Sequence, residues 1–182
     1  LTLELNAAPN ADNWALARQA GVPIICHIVG DRTGNFEAIG KAGLMGPDNE
    51  YIHCTQLTET HWKMIADTGG KVSIAPAIEM QMRHGMPPFQ QALDHGILPS
   101  LSPDVDTNMT TDPFSLMRGA YCLQRALANE LAFPESNPGG LPVPQAVTSR
   151  QVIEMATIAG AASNRILDKV GTLTPGKEAD IV

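Results

Sequence analysis

The run Val22-Pro23-Ile24-Ile25-Cys26-His27-Ile28-Val29 decides the fold. It is almost continuously apolar, the pattern of a strand covered on both faces, and such strands belong to parallel sheets flanked by helices. Just before it, residues 13–20 (NWALARQA) read as a helix, and Gly21 stands where a C-terminal cap belongs. Earlier still, Leu1 to Leu5 (LTLEL) alternates apolar and polar residues as a strand does. Beyond the run, a helix is expected over 34–44, a loop at Met45 to Asn49 and a short strand at Glu50 to Cys54. Thr58 can cap a helix from Glu59 to Thr68 that carries Trp62, Ile65 and Ala66 on one face and ends at Gly69-Gly70.

The same alternation continues downstream. Lys71 to Ala75 reads as a strand, Pro87 to His95 as a helix, and Leu98 to Ser102 as the next strand. Asp112 followed by Pro113 is a helix start by both N-cap and first-turn preferences, and that helix should reach about Glu130. Phe133 to Val147, with four prolines and two glycines, is expected to be a loop, and Thr148 to Gln151 matches a capping box opening a helix Val152 to Ala162. Five strands alternating with helices fit a doubly wound sheet or a piece of a (β/α)8 barrel. No Gly-x-Gly-x-x-Gly or Walker-type loop follows any of them, so a nucleotide-binding version has no support.

Composition narrows the partners. The 182 residues hold 12 Lys+Arg against 19 Asp+Glu, a net charge of −7, which disfavours nucleic acid and anionic membrane surfaces. Apolar residues make up 43%, enough for a core, yet no run is long enough to span a membrane and residues 1–10 lack the basic-then-apolar order of a signal peptide. Three cysteines form no regular framework, so a reducing, cytoplasmic setting is expected, as is a homo-oligomer acting on a small molecule. Residue 1 is Leu, and Ala179 to Val182 ends on an apolar run that resembles the start of a strand. The expectation is a fragment of a longer protein, neither well folded nor active alone because an open half-barrel exposes strand edges.

Both parallel architectures place active sites at strand C-termini, which singles out His27, His53 and Asp104. Taken one at a time, each has a plain structural reading, a hydrogen-bonded core histidine or a capping aspartate. Together, on three strands, they suit Zn²⁺ or a similar borderline metal, with the carboxylate able to take a proton from water. A rival Cys2His2 site combining Cys26-His27 with His53-Cys54 conflicts with the pleat, which sends adjacent residues to opposite faces. His61 and His95 read as structural or solvated. The segment Ile78 to Met86 follows a strand, and reads either as a pocket wall with adaptable methionines or as a solvated loop.

These residues resemble a known family. The stretch from Tyr51-Ile52-His53-Cys54 through Lys71 to Gly96 and on to Leu98 to Asn108, with the ending Val170 to Val182, is similar to the C-terminal half of the amidohydrolase superfamily, in the branch of cytosine deaminase, guanine deaminase and s-triazine hydrolases. The resemblance implies strands four to eight of a (β/α)8 TIM barrel over residues 1–168, and over 169–182 the start of a returning β-sandwich. It implies His27 and Asp104 as metal ligands, zinc or iron, Asp104 also as general base, His53 against substrate or attacking water, and Glu79 and His84 as substrate contacts. The implied reaction is attack of metal-activated water on an sp² carbon, cleaving a C–N bond of a cyclic amidine or related heterocycle. Chloride or an acyclic amide as leaving group, or a barrel-derived binding protein without catalysis, are the alternatives. Three departures stand out: Gly30 where many deaminases of this branch carry a glutamate, Pro103 in place of a small residue before Asp104, and no His-x-His pair anywhere in the chain.

Overall fold

A computed structural model describes residues 2–5, 9–30, 34–105 and 111–178. Its strands are β1 (Leu3–Leu5), β2 (Ile24–Val29), β3 (Asn49–Thr55), β4 (Lys71–Ile74) and β5 (Ser100–Leu101). They are interleaved with α1 (Ala11–Ala20), α2 (Phe36–Lys41), α3 (Glu59–Asp67), α4 (Pro76–Gln81) and α5 (Phe89–Asp94), and followed by α6 (Pro113–Leu131), α7 (Ser149–Glu154), a π-helical turn (Met155–Ala159) and α8 (Gly160–Ser163). All pairings are parallel, and each strand bonds to the next in chain order, β1-β2-β3-β4-β5. A doubly wound sheet reverses its order at a switch point, and no reversal occurs among the described residues. The sequential order is that of a barrel segment.

Local chemistry explains the element boundaries. Asn10 accepts a hydrogen bond from the Asp12 amide to open α1, and Gly21 closes it at φ 64 with its N–H on the carbonyls of Ala17 and Arg18. Thr58 and Thr148 each build a capping box, with His61 and Gln151 as the reciprocal partners. Asp112 takes the amides of Phe114 and Ser115 at the start of α6. Residues 133–147 form neither helix nor strand, as their prolines dictate. The last helix begins at Ser149, earlier than expected, and contains the π-helical turn, which no spacing of apolar residues announced. The helices expected over 34–44 and from Pro87 to His95 are shorter, six residues each. Described residues 169–178 run through turns and bends, and the strand expected at 179–182 lies outside the described residues.

The sheet has two unlike faces. Along β2, Ile24, Cys26 and Ile28 are fully buried, whereas Ile25, His27 and Val29 are half-buried. The first set packs with Trp14, Phe36, Ile39, Tyr51, Trp62 and Ile65 in the core between sheet and helices. The second set lines the other face, which carries the candidate chemistry. Among the described residues, no helix is long and apolar enough to cross a membrane.

Candidate active site

β2 delivers His27 by simple alternation. Cys26 points into the core and His27 to the opposite face, where Glu4 of β1, in register with Ile25, brings Oε1 to 3.6 Å from His27 Nε2. β3 works differently. Ile52 pairs with His27, so strict alternation sends His53 to the core side with Ile28. The strand avoids this by a register shift between Ile28 and Val29, with His53 at φ 72 and Cys54 at φ 55. Two successive left-handed residues inside a strand are costly, and such strain persists only where the surroundings enforce it. The result brings His53 Nε2 to 3.3 Å from His27 Nδ1, while Cys54 lies in the core with Sγ directed to the Tyr51 carbonyl.

After β4 the chain enters α4, a helix where the sequence suggested a pocket wall or a solvated loop. Pro76 at its first position favours the start. Glu79 is fully buried, and its Oε1 accepts from the Ala75 amide at 2.8 Å and lies 3.3 Å from His53 Nδ1. Its expected place was a substrate-lining position; the structure encloses it behind His53. Burial pushes the Glu79 carboxyl above its ordinary range, and the hydrogen bonds from His53 and Ala75 pull it back. His84 sits beyond α4, its ring edge-on to the His53 ring at 5.0 Å. Asp104 follows β5 at φ 60, its N–H on Ser102 Oγ at 3.0 Å and its Oδ2 3.9 Å from His53 Nε2.

These contacts orient the rings. Glu79 Oε1 already accepts a backbone N–H, so it acts as an acceptor whether or not Oε2 carries a proton, and His53 Nδ1 must donate to it. His53 Nε2 then faces His27 Nδ1, and on the far side of the His27 ring Nε2 faces the Glu4 carboxylate. Imidazole nitrogen with carboxylate oxygen is a zinc-like donor set. Among the described residues no three His, Cys, Asp or Glu side chains form a complete metal cluster, so this end of the sheet offers part of a coordination sphere.

The structure therefore brings His27, His53, Glu79, His84 and Asp104 to one end of the sheet. Sequence reasoning missed Glu4, whose signal was a charged residue in an alternating strand, and Gln56, whose signal was its place just after β3. The Cys2His2 alternative fails on placement, since Cys26 and Cys54 are both buried in the core. Burial pushes the Cys26 thiol up to about 12 and the Cys54 thiol well above its usual value. Iodoacetamide at about pH 8 should accordingly alkylate the exposed Cys122 and spare the other two in the native protein, read by peptide mass mapping. Equal labelling of Cys26 and Cys122 would contradict this placement.

Comparisons with known proteins agree with this fold. Residues 6–182 match the amidohydrolase family. The chain is similar to the 5'-deoxyadenosine deaminase of Methanothermobacter thermautotrophicus, at 31% identity over 147 residues, covering 80% of this chain and 31% of that protein. Among solved structures it resembles a zinc-bound adenosine deaminase from Xanthomonas campestris, with TM-score 0.76, 22% identity, 94% of this chain and 40% of the other. It also resembles the zinc complex of atrazine chlorohydrolase from Arthrobacter aurescens, with TM-score 0.75, 17% identity, 97% of this chain and 40% of the other. The chain spans about a third of the length of the curated relatives it matches.

Proposed function

The chain belongs to the amidohydrolase family, and from that premise we propose that it forms the histidine- and aspartate-bearing strand ends of a zinc-dependent hydrolase acting on C–N bonds of amino-substituted heterocycles. The observation that carries this reading is the hydrogen-bonded line from the Ala75 amide through Glu79 and His53 to His27, with Asp104 beside it. His27 and Asp104 would hold the ion, and what zinc supplies when bound is Lewis acidity, enough to make water ionise near neutral pH. The relatives that deaminate nucleosides support the substrate class.

The chain's own groups have separable tasks. Asp104 removes a proton from the attacking water as its oxygen bonds to the amidine carbon. His53, held by Glu79 in one ring orientation, keeps its Nε2 between His27 and Asp104 and so sets their spacing around that water. The exocyclic C–N bond then breaks. Of the water's two protons, one ends on the ring nitrogen and one on the departing ammonia, so the amidine becomes a cyclic amide. Glu79 is a positioning residue, since it is enclosed and reaches the substrate only through His53.

The test is a panel of aminopurines, aminopyrimidines, their nucleosides, chlorotriazines and simple amides, offered to the full-length, zinc-loaded protein. Ammonia release from at least one amino heterocycle, lost on chelation and restored by zinc, is the expected result. Chloride release alone would move the reading to dehalogenation. No turnover and no bound metal would overturn it.

A further inference from the structure

Gln56 lies just past β3 with φ 58, a left-handed conformation that a glutamine adopts at a cost. Two glycines flank its carboxamide. A Cβ built on Gly30, after β2, would stand 3.3 Å from Gln56 Oε1 and 3.4 Å from Cδ, and one built on Gly85, after α4, would stand 3.1 Å from Nε2 and 3.3 Å from Cγ. Both glycines have positive φ, +50 and +117. Between them Gln56 Nε2 donates to the His84 carbonyl at 2.9 Å. The His84 N–H in turn donates to the Glu79 carbonyl at 2.9 Å, and the His84 ring lies against His53. Side-chain absence at 30 and 85, backbone strain at 56 and one aimed hydrogen bond therefore converge on a single carboxamide.

We propose that Gln56 is a positioning residue that clasps the strand ends of β2 and β3 to the segment after α4 and so holds His84 against His53. This role rests on the reading of His53 and His84 as active-site groups. Gln56 is exposed and outside the core, so its loss leaves the fold standing. What it controls is the register of residues 83–85, where Arg83 is itself left-handed at φ 58.

The experiment combines amide hydrogen exchange with kinetics on the full-length, zinc-loaded protein. In Gln56→Ala, exchange at residues 82–86 should rise about tenfold or more while β2 and β3 amides stay unchanged, and kcat should fall about tenfold with KM within about twofold. Gln56→Met, which fills the space without an N–H donor, should behave like the alanine variant; Gly30→Ala should reproduce the exchange change by crowding the carboxamide. Unchanged exchange at 82–86 in Gln56→Ala overturns the proposal, as does full restoration by methionine. If the wild type turns over no compound of the panel, the functional reading fails, and the exchange data still decide whether Gln56 is the clasp.

Discussion

Asp104→Asn should lower kcat on the best substrate by about a thousandfold, within the range expected for loss of a general base, while the melting temperature moves by no more than about two degrees. Asparagine is the informative replacement because Asp104 sits at φ 60, a conformation that Asn and Asp tolerate better than Ala. The backbone N–H bond to Ser102 Oγ survives the change. What disappears is the carboxylate 3.9 Å from His53 Nε2, the group proposed to take the water's proton. The side chain is one-quarter exposed, so little packing is lost with it. Steady-state kinetics with thermal denaturation of the same preparation checks both halves, and full activity in this variant would remove Asp104 from the role of base.

The second large effect is on stability, at the other end of the sheet. Asn49 opens β3 and is 1% exposed, and its Oδ1 accepts from the Gly46 amide at 2.9 Å, Arg18 Nη2 at 3.2 Å, Tyr51 O–H at 3.2 Å and Trp14 Nε1 at 3.4 Å. Four donors from α1, β3 and the preceding turn thus converge on one buried oxygen. Asn49→Ala leaves the buried Trp14, Tyr51 and Gly46 donors without this acceptor, while Arg18 keeps Asp48 and the Leu44 carbonyl, and should cost about 2 to 3 kcal/mol, read as a lower urea midpoint with unchanged slope. Turnover per folded molecule should stay at the wild-type value, because His53 lies at the opposite end of the same strand. A loss below about 1 kcal/mol would mean that the donors find other partners.

The strands were legible because each is short, apolar and followed by a helix signal, as at VPIICHIV and KVSIA. Their sequential order was not, since a barrel segment and a doubly wound sheet share the same local pattern and differ only in which strands meet. α4 escaped notice because six residues starting at Pro76 carry no full period of apolar spacing. In the site, alternation places His27 correctly and His53 on the wrong face; the two left-handed residues that correct it have no marker such as glycine. Glu79 was found by its nearness to a strand end, yet its burial behind His53 depends on the turn of α4. Gln56 and Glu4 matter through contacts across strands, which no single stretch of sequence displays.

The left-handed pair at His53 and Cys54 also limits what can stand at those positions. Valine, isoleucine and threonine, the residues that strands otherwise favour, clash in that conformation, so any of them at position 53 would pull β3 straight and turn the side chain toward Ile28. Histidine, asparagine and aspartate are the polar residues that enter it most readily. An engineer seeking a new group at this spot therefore chooses from a shortlist drawn up by the backbone, and all three of its members carry a lone pair suited to water or a metal.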